Sequence, residues 1–354
     1  MASSTLIHHV VLGVLLLMGL VVVARRGTPR VVLGVALFGS VAVVASATVL
    51  GEDGFGRLRL LAHGVFVQGS IYSLVGAGLV WRRSKALAVV GIIVGLSIIA
   101  VAIDAFVIEP RWLEVTEYRV ETDALDAPLR IVVLSDIQTD RIGEYEETVL
   151  RAALAAEPDL ILLPGDFVQM VDPDSYEGLS TQMRELFRRV GLRAPLGVFA
   201  VEGNVDHPGW TMIFDGLGVT CFERSGEVEL DRLRITGLSL SESHALHRSI
   251  RSEDDDRFHI VVGHYPDFAL GDVEADLLVA GHTHGGQVQF PGFGPPITLS
   301  RVPRSWAAGG CFEVPGKGTL VVSRGIGVER GNAPRLRFLC RPELVVIDVV
   351  PRQP

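Results

Sequence analysis

The sequence predicts an all-α bundle of four transmembrane helices followed by an α/β domain built on a central sheet. Two observations indicate this division. Four nearly charge-free apolar runs occupy the first part of the chain, and short apolar strands alternate with amphipathic helices over the rest. We therefore expect a membrane domain at residues 1–110, a linker with a first strand at 111–127, and a second domain at 128–354.

Charge is distributed unevenly between these parts. Residues 1–110 hold eight Lys or Arg and four Asp or Glu, a net charge of +4, so the other 24 basic and 37 acidic residues give −13. No basic stripe suited to phosphate backbones is visible, so nucleic acid is not an expected partner. The cysteines Cys221, Cys311 and Cys340 are too few and too scattered for a disulfide framework or a Cys-based zinc site, although one disulfide is compatible with them.

Each apolar run approaches the roughly 20 residues that cross a bilayer. The runs are Leu6–Ala24, Val31–Leu50, Leu60–Trp81 and Ala86–Ile108. We do not expect the first run to be a cleaved signal, because no basic residue precedes it and Arg25 and Arg26 follow it. The alternative, buried helices of a soluble protein, would require four such segments in succession.

Basic residues concentrate in the first and third loops between these runs. They are Arg25, Arg26 and Arg30 in the first loop and Arg82, Arg83 and Lys85 in the third. Because basic loops favour the cytoplasm, both termini and the acidic domain are expected outside, in a multi-pass protein of the cell membrane. For the polar residues within the runs, His63, Gln68 and Asp104, we expect helix–helix hydrogen bonding and no transport path.

The α/β part contains buried strands that each end in polar residues. The strands are Ile131–Leu134, Leu160–Leu163, Gly197–Val201, Phe258–Val262 and Leu277–Ala280. Helices are expected near Glu144–Ala156 and Leu179–Val190, and further strands at Leu113–Val120, Leu320–Val322 and Leu344–Val349. Val228–Leu230 and Leu233–Thr236 resemble a hairpin, and the acidic run Glu253–Asp256 is interpreted as a solvated loop.

Carboxylate, amide and imidazole side chains follow the ends of these strands. The candidates are Asp136, Gln138, Asp166, Asn204, His264, His282 and His284. This donor set suits Mn, Fe or Zn. Seven candidates exceed the needs of one tetrahedral site, whereas two divalent ions sharing one carboxylate would use them all. Two ions about 3.5–4 Å apart suit phosphoryl displacement, so the pattern predicts a dinuclear centre at the carboxyl ends of the strands.

These motifs resemble the calcineurin-like metallophosphoesterase superfamily, and in particular its bacterial membrane-associated branch. The resemblance covers about residues 128–350 and rests on Gly-Asp, Gly-Asn and Gly-His motifs, on the stretch Gly281–Gln287, and on Ser323–Gly327 and Arg341–Glu343. It implies a four-layer αββα sandwich with two central sheets. It also implies that Asp136, Asp166 and His284 hold the first ion, and that Asp166, Asn204, His264 and His282 hold the second.

The sequence departs from the family pattern at two positions. Gln138 stands where the first motif usually has His, so it is expected to be a weaker ligand. Val205 stands where the family has the imidazole that protonates the leaving group. Loss of a general acid typically costs 10²–10⁴-fold. We therefore consider His207 as a replacement donor, with Asp206 and Arg324 as further candidate catalytic residues.

The predicted function is a membrane-anchored phosphoesterase in which a hydroxide held between the metal ions attacks phosphorus in line. Candidate substrates are a phospholipid, a lipid-linked phosphate or pyrophosphate, or a nucleotide-linked lipid, because anchoring favours encounter with a membrane substrate. The alternative is a metal-binding, weakly catalytic domain with a regulatory or interaction role. Gln138 and Val205 favour that alternative, whereas retention of both His282 and His284 argues against it.

Overall fold

A computed structural model describes residues 2–170, 172–251 and 256–352. The chain divides into two compact units, the first reaching Ile108 and including Glu329–Arg335, the second formed by Glu109–Val328 and the chain from Leu336 onwards. Most of the predicted acidic loop, namely Glu253, Asp254 and Asp255, lies outside the described residues.

The first unit is helical, as the apolar runs predict. Its helices are α1 (Ala2–Arg26), α2 (Pro29–Leu50), α3 (Gly54–His63), α4 (Ser70–Val80) and α5 (Lys85–Ile103). A π-helical turn, Gly64–Gly69, joins α3 to α4, and a second, Asp104–Ile108, follows α5. Among the described residues, four helical stretches are long and apolar enough to cross a membrane, namely Ser4–Arg26, Pro29–Leu50, Gly54–Val80 and Lys85–Arg111.

Polar side chains in this unit contact one another between helices. Gln68 Nε2 lies 2.7 Å from His9 Nδ1, and the rings of His9 and His63 stack with centroids 5.1 Å apart. Ser46 Oγ of α2 lies 3.0 Å from His8 Nδ1 of α1. His8 and His9 of the first helix were not among the polar residues predicted to make such contacts. These contacts agree with the expected helix–helix hydrogen bonding.

The second unit contains two six-stranded sheets. In the first sheet the order is β1 (Glu114–Thr122), β12 (Glu343–Pro351), β2 (Leu129–Val133), β3 (Leu160–Leu163), β4 (Val198–Val201) and β5 (Val219–Phe222). In the second it is β10 (Gly310–Val314), β11 (Gly318–Val322), β9 (Leu277–Ala280), β8 (Phe258–Val262), β7 (Leu233–Gly237) and β6 (Gly226–Leu230). Neighbours are parallel except β12–β2, β10–β11 and β6–β7.

Alternation along the strands produces three apolar cores and hence four layers. Val132 and Ile161 face α6 (Glu144–Ala155) and α7 (Pro173–Val190), whereas the adjacent residues Ile131 and Leu160 point between the sheets. The outer face of the second sheet is covered by short elements, among them the 3₁₀ turn Pro266–Leu270. Two further short helices are α8 (Leu240–His244) and α9 (Arg304–Ala307). This arrangement confirms the predicted αββα sandwich after a helical part.

The structure adds two edge strands that the sequence did not predict, β5 and β10. Neither carries an apolar run, because both lie at sheet edges and are only partly buried. Helix α7 begins six residues before the predicted start, since Asp172 caps its first turn by accepting a hydrogen bond from Ser175 N (3.0 Å) and Pro173 follows the cap. The cysteines are all free thiols in the part of the chain that the structure describes.

Two glycines at the start of β11 and in the turn before it provide a test of the second sheet. Gly318 has φ +109°, and a Cβ there would lie 1.8 Å from Ala275 O, whereas Gly316 has φ +71° with open space around it. We expect Gly318→Ala to destabilise the protein by about 2–3 kcal/mol more than Gly316→Ala. Only the added methyl group at position 318 would clash with the backbone of Ala275, which precedes β9. Thermal unfolding of the full-length protein in detergent should show an apparent Tm lower by roughly 5–10 °C. Equal Tm values for the two variants would contradict this account.

Candidate metal centre

The predicted ligands lie in loops at the carboxyl ends of strands from both sheets. Asp136 and Gln138 follow β2, Asp166 follows β3, and Asn204 follows β4. In the second sheet His264 follows β8, and His282 and His284 follow β9. One ligand atom from each of Asp136, Asp166 and His264 lies within 4.8 Å of the other two. Side chains far apart in the sequence therefore meet at one end of the sandwich.

Backbone strain concentrates at these residues. The left-handed region is occupied by Asp136 (φ 51°), Gln138 (φ 41°), Asp166 (φ 57°), His282 (φ 68°) and His284 (φ 48°). For residues with a Cβ this conformation costs about 1–2 kcal/mol each, and it is typical of sites that aim side chains at a ligand.

Asp136 is fully buried and has few groups that compensate its charge. Its carboxylate accepts hydrogen bonds from Ser135 Oγ and from His282 N, the latter at 3.0 Å to Oδ1. Burial nevertheless raises the pKa of Asp136 to about 7, and the nearby charge of Asp166 acts in the same direction. A divalent cation beside these carboxylates would supply the missing positive charge.

The imidazoles of His264 and His282 meet at one amide oxygen. His264 Nδ1 donates to Pro164 O (2.8 Å) and His282 Nε2 donates to Leu299 O (3.2 Å). The other ring nitrogen of each lies 2.8 Å from Asn204 Oδ1. In neutral rings both of these nitrogens are acceptors, as the amide oxygen is, and a cation among the three atoms would be a favourable partner. Burial also lowers the pKa of His282 to about 3, so its ring is neutral at pH 7.

His284 supplies a further nitrogen donor. Its Nε2 is buried, makes no hydrogen bond to the described part of the chain, and lies 3.6 Å from Asp136 Oδ1. Burial, with a contribution from Arg337, holds the pKa of His284 well below its usual range, so its ring is neutral at pH 7. His264 Nε2 in turn lies 3.5 Å from Asp166 Oδ2. The donor set fits a divalent cation of the kind that oxygen and imidazole ligands prefer.

Asp206 organises the loops that carry two of the ligands. Its carboxylate accepts hydrogen bonds from the backbone N–H groups of Asp166 (2.8 Å), Phe167 (2.9 Å) and Gly203 (2.9 Å). Val205 N donates to Asp166 Oδ1 (2.9 Å), which joins the same two loops in the opposite direction. The structure therefore shows Asp206 in a positioning contact, and its catalytic role stays a prediction.

The other predicted residues have defined contacts of their own. His207 Nε2 lies 3.0 Å from Met170 O, and its ring stacks on Tyr176 with centroids 4.2 Å apart. Arg324 Nη2 donates to Glu114 (2.8 Å) and to the buried Glu343 (3.0 Å). Proton donation by His207 and charge stabilisation by Arg324 stay predictions.

Gln138, which stands where the family usually has His, is buried beside the predicted ligands. Its Nε2 donates to Gln169 Oε1 (3.1 Å), and its backbone N donates to Asp166 O (2.8 Å). The backbone hydrogen bond connects the loops after β2 and β3. Ligation through the Gln138 amide oxygen stays a prediction.

Sequence reasoning missed Arg337, the largest fully buried side chain described in the structure. Its Nε donates to Gly327 O (3.0 Å), its Nη2 to Arg324 O (2.8 Å) and Gly325 O (3.0 Å), and Nη2 lies 3.5 Å from His284 Nδ1. It thus fixes the Ser323–Gly327 loop against a predicted ligand. No pattern in the sequence distinguishes it from the nearby Arg335.

Comparisons with known proteins agree with this geometry. The family model described as calcineurin-like phosphoesterase matches residues 129–286. YkuE of Bacillus subtilis strain 168, an uncharacterized metallophosphoesterase, is 32% identical over 68% of this chain and 87% of its own length. Phosphodiesterase YaeI of Escherichia coli K12 is 28% identical over 68% and 90%, respectively.

A third relative is UDP-2,3-diacylglucosamine pyrophosphatase LpxG of Chlamydia muridarum, which is 24% identical over 62% of this chain and 83% of its own length. The identity to YkuE extends over most of both chains, and the matched family model includes the loops after β2, β3, β4, β8 and β9. The chain therefore belongs to the calcineurin-like phosphoesterases, a family of metal-dependent phosphoric ester hydrolases.

Proposed function

We propose that this chain is a membrane-anchored phosphoesterase that holds two divalent ions and hydrolyses a lipid or lipid-linked phosphoester or pyrophosphate bond. One observation carries the proposal, namely the convergence of two buried carboxylates with the side-chain oxygen of Asn204 and ring nitrogens of His264 and His282. Such a site is electrostatically incomplete without cations and is suited to binding an anionic phosphoryl group once they are present.

The contacts support two ligand sets that share one carboxylate. Asp136, Asp166 and His284 form the first set, with Gln138 as a weaker neutral ligand. Asp166, Asn204, His264 and His282 form the second. Mn, Fe or Zn matches these donors. When bound, such ions lower the pKa of water and offset charge on the phosphoryl oxygens.

The chain itself contributes positioning and proton transfer. Asp206 holds the loops of Asp166 and Asn204 together through three backbone N–H groups. His207, in the loop that also carries Asn204, is the proposed proton donor to the leaving oxygen in place of an imidazole at Val205. Arg324 is the proposed additional positive charge beside the phosphoryl oxygens.

Three observations support a lipid substrate and an envelope location. Four helical stretches are long and apolar enough to cross a membrane, and a tethered enzyme meets membrane substrates at high local concentration. The relative LpxG is named for a diacylglucosamine nucleotide, which is a lipid pyrophosphate. The basic first and third loops support an extracytoplasmic position for the acidic domain.

The metal site is tested by His282→Ala in the full-length purified protein. Wild type should contain two ions per chain by elemental analysis and hydrolyse p-nitrophenyl phosphodiesters with added Mn²⁺. The variant should lose bound metal, and its turnover should fall at least about 100-fold. Mutating a residue that only hydrogen-bonds to a metal ligand already costs about 10–100-fold, and loss of the ligand itself should cost more. His247→Ala, which removes an exposed histidine, is the matched control and should behave like wild type. Two bound ions in wild type without turnover of any mono- or diester would instead favour a metal-binding regulatory domain.

The proton donor is tested by comparing leaving groups. If His207 donates the proton, His207→Ala should slow hydrolysis of an alkyl phosphodiester about 10²–10⁴-fold, while a p-nitrophenyl ester, whose leaving group needs no proton, changes little. Val205→His, which introduces the family's usual imidazole, should accelerate the alkyl ester selectively. A uniform loss on both esters in His207→Ala would mean that the contacts to Met170 and Tyr176 are the residue's contribution.

Membrane orientation is tested with reporter fusions in a bacterial host. A phosphatase reporter that is active only outside the cytoplasm should be active when fused after Pro354 and inactive when fused after Ser84, because the third loop is basic. A green fluorescent protein that folds only inside should give the reverse pattern. Activity of both reporters at the same position would indicate mixed insertion and contradict the assignment.

A further inference from the structure

The loop after the His282–His284 motif exposes large apolar side chains to solvent. In residues 288–303, here called the apolar loop, the exposed side chains are Phe290 (47% exposed), Phe293 (55%), Ile297 (40%) and Leu299 (60%). Single exposed apolar residues are common on proteins, whereas several within one short loop mark a binding surface. Four exposed apolar residues within ten positions therefore require an explanation that the metal ligands do not provide.

A pocket of about 480 Å³ opens beside this loop. Its lining includes Phe290, Pro291, Phe293, Arg304, Ala308 and Leu339. The volume falls within the range of small-molecule sites, which are largely apolar with a few polar groups that fix orientation. Arg304 supplies such a group, since its guanidinium lies 4.1 Å from the centroid of the Phe293 ring. The pocket thus combines an apolar wall with a single positive charge.

Hydrogen bonds connect the apolar loop and the pocket to the segment that carries His282 and His284. Leu299 O accepts the hydrogen bond from His282 Nε2 (3.2 Å), so the loop backbone orients a predicted ligand. On the pocket side, Gln289 Nε2 donates to Gly285 O (3.1 Å) and to Ala308 O (2.7 Å). A molecule in this pocket would therefore lie beside the loop that carries His284.

We propose that this pocket binds the alkyl or acyl chain of the substrate while its phosphoryl group occupies the metal centre. The inference rests on the proposed phosphoesterase function and specifies the substrate as an amphiphilic phosphoester. Charge complementarity supports this occupant, because Arg304 can meet an anionic or ester oxygen near the head of the chain while Phe290, Phe293 and Leu339 cover methylene groups. Substrates without a chain gain nothing from this surface.

The expected effect is a dependence of affinity on chain length. A fully buried methylene is worth about fourfold in affinity, and in a pocket open to solvent we expect about twofold for each. The five additional methylenes of hexylphosphonate over methylphosphonate then amount to roughly 30-fold tighter binding. Both phosphonates are water-soluble and resist hydrolysis, so binding can be measured separately from turnover.

The experiment uses the full-length protein in nanodiscs with Mn²⁺ and measures dissociation constants of methyl- and hexylphosphonate by calorimetry, with empty nanodiscs subtracted. Wild type should prefer hexylphosphonate about 30-fold. Phe293→Ser should reduce this preference to below about fivefold with the affinity for methylphosphonate unchanged. Leu196→Ser is the matched control, because Leu196 is also exposed (40%) and precedes β4 at the opposite end of its sheet, so the preference should persist.

Equal affinities for the two phosphonates, an undiminished preference in Phe293→Ser, or failure to bind either probe would each overturn the proposal. Turnover of a p-nitrophenyl diester by the same sample tests the phosphoesterase function separately from the chain-binding pocket. Turnover without a chain-length preference would refute the pocket assignment and leave the phosphoesterase proposal standing. Loss of both binding and turnover would refute the proposed function as well.

Discussion

Mutual repulsion between Asp136 and Asp166 is the constraint on which the site depends. Both carboxylates are buried, at 0% and 1% exposure, and charges so placed interact strongly because little water screens them. The backbone holds them together nevertheless. Asp136 N donates to Gly165 O (3.1 Å), and Gln138 N donates to Asp166 O (2.8 Å). Two neighbouring loops are thereby held together with their carboxylates close, and a divalent cation would relieve the repulsion.

Several residues of the site have a left-handed backbone conformation, and the apolar core stabilises the fold against its cost. Asp136, Asp166 and His282 each adopt a conformation that an extended strand or helix would avoid. The cost is offset by the apolar core between the sheets, which includes fully buried Leu160 and Ile260 directly upstream of the site. Rigid strands that end abruptly in strained turns therefore place the donors more precisely than flexible loops could.

Much of this organisation could be predicted from the sequence, because a buried strand requires a short continuous run of apolar residues. The apolar strands Leu160–Leu163, Phe258–Val262 and Leu277–Ala280 were predicted at their observed bounds, and the donors that follow them could be anticipated because parallel strands end at one edge. A Cβ at Gly281, the residue before His282, would lie 1.8 Å from Ser135 Oγ, so this motif needs glycine for the close approach of two loops.

Other features could not be predicted because they depend on contacts between distant segments. The carboxylate of Asp206 is satisfied by backbone N–H groups about forty residues upstream, and Arg337 binds carbonyls of a different loop. Edge strands β5 and β10 lack apolar runs. Pairing of His9 with Gln68 requires knowledge of which helices are neighbours. None of these leaves a pattern in any short stretch of sequence.

The position of β12 has a consequence for biogenesis. This strand lies between β1 and β2, so β1 has no neighbour in its sheet until β12 has been synthesised. Glu114 pairs with Glu343 and Val133 with Val345, contacts that span more than two hundred residues. Such long-range pairing is slow and leaves strand edges exposed in the meantime. Until β12 is present, β1 and one edge of β2 lack strand partners, and these exposed edges must be kept from pairing with other chains.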